Sequence, residues 1–258
     1  MNEIISAVIL AVIQGITEWV PVSSSGHLVL FEAILGYDGG LTFDVALHFG
    51  TLMAVFVYFG KDIVDIIEDL LKGKFKSENG RLGLLLIVAS IPVFFVGYFA
   101  RDYFDAVLTN LGLLALGFGL SGLFLFIASV PGNVKIEKLG WKGAFFIGVA
   151  QAMAIIPGIS RSGSTISGGI MMGLDEKAAM KFAFLLSIPV VFGANVLTIG
   201  NSSIPPELIW ATVVSFVVGI LSIHLIFNYL LVSRKNLAWF GLYCMLLAIA
   251  LGLYISVS

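Results

Sequence analysis

Seven side chains that can carry charge lie in or beside apolar stretches of the 258-residue chain: Glu18, His27, Glu32, Asp44, His48, Arg161 and His224. Holding such a group in hydrocarbon is costly, so each is a candidate for function or for burial against a partner. Two short segments concentrate the chemistry. The first reads Gln14-Gly-Ile-Thr-Glu18-Trp-Val-Pro21-Val-Ser23-Ser24-Ser25-Gly26-His27. On a helix Gln14 and Glu18 stand one turn apart and share a face. Pro21 ends that helix, and three serines precede a second helix expected from about Leu28. The second segment reads Pro157-Gly158-Ile-Ser160-Arg161-Ser162-Gly163-Ser164-Thr165. It again places hydroxyls before a helix and adds a guanidinium.

Serines at a helix start cap free backbone N–H groups. Those N–H groups and the helix dipole also form an anion site. Two such starts, one Arg, one His and many hydroxyls suit a phosphate-rich ligand, because Arg can clamp phosphate through two hydrogen bonds. Ser23, Ser25, Gly26, Ser160, Ser162, Gly163, Ser164 and Thr165 are the expected binding positions, with Gln14 and Gln151 behind them. Glu18 supplies the opposite charge, as a general base or as ligand to a divalent ion held by phosphate oxygens. The plainer alternative is that serine and glycine only cap and pack, while Glu18 and Arg161 neutralise each other. Five hydroxyl residues around an intramembrane Arg exceed what a neutral pair requires. His27, beside Ser24 at the first helix start, is read as catalytic. His48 and His224 are read as packing or helix–helix hydrogen bonds, and Glu32 and Asp44 as groups near the outer rim.

The elements that position these groups are membrane helices. The chain is 59% apolar and 12% charged, against roughly half and about a quarter in soluble proteins. Its mean hydropathy is +1.05, and a soluble enzyme is excluded. A span needs about 20 mostly apolar residues. Six stretches are read as full spans: 43–59, 82–99, 108–130, 178–199, 208–231 and 237–257. Four shorter pieces, 3–20, 25–36, 143–156 and 165–173, are broken by Gly, Pro and Ser and pair into two re-entrant hairpins. Twelve of the fourteen Lys and Arg residues then fall on one side, with Arg101 opposite and Arg161 inside a tip. That bias follows the positive-inside rule and turns both termini outward.

A shift of 137 residues places Gln14 on Gln151, Ser23 on Ser160, Ser25 on Ser162 and Gly26 on Gly163. Three spans separate the hairpins, so the second half enters from the opposite face. The expected architecture is therefore an all-α polytopic membrane protein built as an inverted-topology repeat. Its first unit is 1–137 (re-entrant pair 3–36) and its second 138–258 (re-entrant pair 143–173). Segment 61–72 places Ile63, Ile66, Ile67 and Leu70 on one face of an amphipathic helix at the inner interface.

Other patterns carry nothing. Gly117-Phe-Gly119-Leu-Ser-Gly122 fits a dinucleotide fingerprint but lies inside an apolar span, where it reads as a packing face. The second tip lacks the Gly-Lys-Ser/Thr of a P-loop. No Cys/His cluster offers a zinc site. Asn201-Ser-Ser203 fits a glycosylation pattern that matters only in a secretory eukaryotic setting. Cys244, the single cysteine, reads as packing. The N-terminus has no cleavable signal pattern. A net charge of −2 gives no footprint for nucleic acid.

With these motifs the sequence resembles the undecaprenyl-diphosphate phosphatase family, also known for conferring bacitracin resistance. That family carries (E/Q)xxxE followed by PVSSxGH, and later PGxSRSxxT. They stand here as Gln14–Glu18, Pro21–His27 and Pro157–Thr165. The resemblance implies an enzyme of the plasma membrane that serves cell-envelope and peptidoglycan synthesis. It would hydrolyse a long-chain polyprenyl diphosphate to the monophosphate carrier lipid, using a divalent cation, Mg²⁺ or Ca²⁺. It also implies two re-entrant pairs in an inverted repeat and a site open to the outside. The family's catalytic acid falls on Glu18, its essential histidine on His27 and its phosphate-binding arginine on Arg161. Ser23, Ser24, Ser160 and Thr165 match its active-site hydroxyls. Gln14 is the neutral option of its motif, so Glu18 carries the role of base or metal ligand alone.

Three nucleophiles remain open at this stage: a water oriented by Glu18, His27, or Ser24, with direct participation of His27 favoured. A carrier of a lipid phosphate or other anion would use the same inverted-repeat site but needs neither base nor nucleophile. A purely structural scaffold leaves Arg161 unexplained. Prenyl chain length and oligomeric state, including a homodimer, stay open.

Overall fold

The computed structural model describes residues 3–100, 110–128, 135–199, 208–230 and 233–257. Eleven α-helices make up the regular architecture of the described residues. Helices α1 (Glu3–Thr17) and α2 (Ser24–Leu35) form the first broken pair. After it come α3 (Gly40–Tyr58), α4 (Gly60–Leu71), α5 (Glu78–Ala100) and α6 (Leu111–Ile127). Helices α7 (Trp141–Met153) and α8 (Arg161–Met171) form the second broken pair. The chain ends with α9 (Glu176–Ile199), α10 (Ile209–Leu225, continued by a π-helical turn Ile226–Leu230) and α11 (Arg234–Val257).

Four helical segments are long and apolar enough to cross a bilayer: Gly40–Tyr58, Glu78–Phe99, Ile209–Leu230 and Lys235–Val257. The protein is thus an all-α, multi-pass membrane protein with at least four apolar spans. The expected spans 108–130 and 178–199 coincide with α6 and α9, although 108–109 and 129–130 lie outside the described residues. At 1.5 Å per residue, α1, α2, α7 and α8 run only about 16–22 Å, short of the roughly 30 Å hydrocarbon core.

Both broken pairs differ from expectation at the start of the second helix. α2 begins at Ser24 and α8 at Arg161, each four residues early. The reason is capping: Ser23 Oγ accepts from Gly26 N, and Ser160 Oγ accepts from Gly163 N. The serines close the first turn instead of preceding it. In α4, Ile66 is buried with Ile63 and Leu70 packed beside it. Ile67 leaves that face and lies with Val64 and Leu71 on an exposed apolar edge, which suits a helix lying at a lipid interface.

The helices pack in pairs: α1 on α10, α7 on α5, α3 on α9 and α10, and α6 on α11. Without a hydrophobic driving force in lipid, close backbone approach does much of this work. Gly148 shows it on α7, where an added Cβ would stand 2.3 Å from the Ala89 carbonyl oxygen of α5. Gly148→Ala is accordingly expected to destabilise the fold by about 1–3 kcal/mol, read as a lower thermal unfolding midpoint in detergent. An unchanged midpoint would contradict the close contact.

Candidate active site

The two helix breaks meet. Ser162 Oγ of the second donates to the Val20 carbonyl of the first at 3.2 Å. Arg161 Nη2 donates to Glu18 Oε1. The other carboxylate oxygen, Oε2, accepts from Ser24 Oγ at 2.5 Å and from Gln14 Nε2 at 3.0 Å. Glu18 is 6% exposed, and His48 Nε2 approaches Oε2 to 3.7 Å. The Arg161 guanidinium also lies over the Trp19 ring, 5.8 Å from its centroid, a cation–π arrangement that helps hold a charge out of water.

Each break has its own support. Ser23 has φ +71°, the one positive-φ non-glycine among the described residues, a conformation that costs about 1–3 kcal/mol. Its carbonyl accepts both from His27 N at 3.2 Å and from His27 Nδ1 at 2.7 Å. The second break rests on α6. Ser121 Oγ donates to the Gly158 carbonyl at 3.0 Å and accepts from Ser160 N at 2.7 Å. Gly117 leaves room for that loop, since a Cβ there would stand 2.1 Å from the Pro157 carbonyl oxygen. The packing face read in Gly117–Gly122 therefore receives a loop as well as a helix.

A cavity of about 370 Å³ opens between the breaks. Its polar wall holds Glu18, Ser23, Ser24, Ser25, Ser160, Arg161 and Ser162. Of the remaining expected site residues, Gln14 lies behind Glu18, and Thr165 and Ser164 hydroxyls donate to the Arg161 carbonyl at 2.7 and 3.1 Å. Gly26 and Gly163 serve through the backbone N–H groups that meet the caps. Gln151 is buried with neither side-chain polar atom partnered. His27 is absent from the cavity wall. It lies between Phe118 and Tyr243, with Nε2 2.7 Å from the Tyr243 hydroxyl.

The wall extends beyond the residues expected from sequence. His48, read there as packing, lines the cavity with Leu41, Asp44 and Val45 on one face of α3. The i, i+4 spacing of Asp44 and His48 within an apolar helix was the available signal. Asn195 of α9 also lines the cavity and is 5% exposed; a polar amide late in an apolar helix was its only mark. Glu32 is not among the lining residues, and His224 joins Asn228 at 3.2 Å in a separate cluster with Tyr58.

Three residues of this wall each have a buried side-chain atom without a protein partner: Arg161 Nη1, Asn195 Nδ2 and Asp44 Oδ1. Buried groups of that kind normally find one. Two donors and two helix starts beside a cavity suit phosphate oxygens. Among the described residues no cluster of three His, Cys, Asp or Glu side chains is present. Gln14 Oε1 beside Glu18 and Asp44 Oδ1, of a residue lining the same cavity, nevertheless remain unpartnered hard oxygens. One or two carboxylates sharing an ion with phosphate is the usual Mg²⁺ arrangement, so the donor set fits a substrate-shared divalent cation.

The fold and the cavity define a class: α-helical multi-pass membrane proteins with a polar-walled cavity between two helix breaks. The chain belongs to the family described as bacitracin resistance protein BacA, which it matches over residues 7–250. It is similar to the undecaprenyl-diphosphatase of Methanococcus vannielii, 36% identical over 252 residues covering 96% of this chain and 99% of that protein. It is also similar to the undecaprenyl-diphosphatase of Rubrobacter xylanophilus, 38% identical over 265 residues, with 96% and 97% covered.

Ser121→Ala would strand the Ser160 N–H and the Gly158 carbonyl. Each buried unsatisfied group costs about 1–3 kcal/mol, so the unfolding midpoint in detergent should fall. A midpoint equal to wild type would contradict the bridging role of that hydroxyl.

Proposed function

We propose that the chain hydrolyses a long-chain polyprenyl diphosphate of the undecaprenyl type to the monophosphate carrier lipid and inorganic phosphate. The observation that carries this reading is the shared carboxylate: Glu18 accepts the Ser24 hydroxyl on one oxygen and the Arg161 guanidinium on the other. A hydroxyl bonded to a carboxylate beside an anion site is a nucleophile–base pair. A carrier has no use for one. The names of the similar proteins point the same way.

In this scheme the diphosphate enters between the two helix starts. Its prenyl tail follows the apolar wall of Leu41, Val45, Val190 and Val191 toward lipid. The Arg161 and Asn195 side chains, with the uncapped N–H groups of the two helix starts, take the phosphoryl oxygens and the charge that develops on them. Ser24 Oγ attacks the terminal phosphorus, its proton passes to Glu18, and the prenyl monophosphate leaves. That leaving group is itself a phosphate ester, with a second pKa of about 6 by analogy with phosphoserine, so it needs little help from an acid. Glu18 gives that proton up to the departing monophosphate; the regenerated carboxylate then takes a proton from water, whose oxygen attacks the phosphoserine phosphorus, and the proton returns to Ser24 Oγ as inorganic phosphate leaves. Ser24 takes the place given above to His27, whose two ring nitrogens are both engaged away from the cavity. Mg²⁺ or Ca²⁺, held by Glu18 and Asp44 with the substrate's oxygens, would supply charge neutralisation when bound.

The same reading keeps six spans, two re-entrant pairs and an inverted repeat of units 1–137 and 138–258. Two features support the repeat. The caps at Ser23 and Ser160 have the same hydrogen bonds, and exchanging the halves turns the α1–α10 pair into α7–α5 while α3–α9 and α6–α11 map onto themselves. With the basic loops inside, the termini and the cavity face outward.

Phosphate release from a polyprenyl diphosphate in detergent with Mg²⁺ tests the function. Wild type should release it, while Glu18→Ala and Arg161→Ala, both folded, should not. Glu18→Gln should lower kcat by about 10²–10⁴-fold, and chelation of divalent ions should abolish release. A folded wild type that binds the lipid without cleaving it would overturn the reading. Topology has its own check. Single cysteines at Lys74 and Lys138 should be labelled from the side opposite to one at Glu3; labelling from the same side would sink the re-entrant assignment.

A further inference from the structure

We infer that Tyr243 is a positioning residue of this site, acting through His27 to hold Ser23 in its left-handed conformation and so aim the Ser24 hydroxyl at Glu18. The inference rests on the hydrolase reading above. A carbonyl oxygen only accepts, so the 2.7 Å contact between His27 Nδ1 and the Ser23 carbonyl requires a hydrogen on Nδ1. In the neutral ring Nε2 is then an acceptor, and it takes the Tyr243 hydroxyl at 2.7 Å. The Tyr243 ring stacks on the imidazole at 16° and 5.7 Å, while Phe118 meets it edge-on at 5.5 Å. The imidazole is thereby fixed in orientation and tautomer, as a ring nitrogen is set by the bond its partner makes.

What the fixed imidazole grips is the strained residue of the first break. The Ser23 carbonyl receives two hydrogen bonds from His27, one from the backbone and one from the ring. Ser23 has φ +71°, a region that a residue with a Cβ adopts only under constraint and that glycine enters freely. The peptide leaving Ser23 starts α2, and the next side chain, Ser24, reaches Glu18 Oε2 at 2.5 Å. Tyr243 lies 216 residues from His27 in sequence, so α11 braces this helix start from far along the chain, where the neighbouring Cys244 Sγ also meets the Pro21 carbonyl at 3.9 Å.

The consequence is a dependence on the residue at 23. Tyr243→Phe keeps the stacked ring and removes only the hydroxyl. It should lower kcat for phosphate release about 5–10-fold with KM within about twofold, the loss of one buried hydrogen bond. In a Ser23→Gly background, where positive φ needs no restraint, the same substitution should change kcat less than about twofold. In a Ser23→Ala background, which keeps the Cβ, the loss should persist. Glycine is an acceptable helix cap and alanine only a weaker one, so both backgrounds should fold, the Ala background with a lower unfolding midpoint, and retain measurable activity. Full kcat in Tyr243→Phe, or equal losses in the Gly and Ala backgrounds, would overturn the inference. Histidine-selective ¹⁵N spectra, assigned with His27→Asn, need no turnover and separate this failure from that of the hydrolase reading. His27 should carry its hydrogen on Nδ1, and its Nε2 resonance should move in Tyr243→Phe; an unmoved Nε2 contradicts the bracing contact whether or not phosphate is released.

Discussion

A buried carboxylate inside a membrane helix bundle must be compensated, and the way Glu18 is compensated organises this protein. Removing one partner of such a pair leaves an uncompensated charge and costs about 3–5 kcal/mol. Arg161 therefore has to reach Glu18 across the molecule, and it does so only because two helix breaks meet. Their contact is specific at the backbone as well, through Ser162 on the Val20 carbonyl. The ion pair, the breaks and the cavity are one construction.

Breaking a helix in lipid exposes backbone groups that water cannot satisfy. The chain meets this with side chains, one from a helix distant in sequence and one from the break's own second helix. Ser121 of α6 fills both a donor and an acceptor of the second break, and His27 fills the Ser23 carbonyl of the first. The freed N–H groups at the starts of α2 and α8 are left for a ligand. Ser24 and Arg161 stand at the first helical position of each start, 137 residues apart, and each binds one oxygen of Glu18. A single offset in sequence thus brings a hydroxyl and a guanidinium to opposite sides of the same carboxylate. The cost of the breaks becomes the capacity of the site.

Much of this was legible because the signals are local. Hydropathy marked the helices, Pro21 and Pro157 marked the breaks, and the 14/18 spacing put Gln14 and Glu18 on one face, where they are bonded. Caps were legible in kind but not in register: Ser23 and Ser160 close the first turn, so both helices start earlier than their apolar runs. What stayed hidden is tertiary. Nothing local to His48 or Asn195 tells which way a helix is turned, and the partners of Ser121 and Tyr243 lie 37 and 216 residues away. Gln151 shows the reverse case. The repeat pairs it with Gln14, but residue 155 is Ile where the first half has Glu18, so the second amide has no carboxylate to meet.

The account turns on Glu18 taking the proton of Ser24, which requires a phosphoserine between substrate and product. The stereochemical course at phosphorus tests this directly, using a polyprenyl diphosphate whose terminal phosphoryl group is made chiral with oxygen isotopes and sulfur. Two in-line displacements, first by Ser24 and then by water, predict overall retention of configuration. Overall inversion would mean that water attacks the diphosphate in one step, and Ser24 would then be a binding group and not the nucleophile.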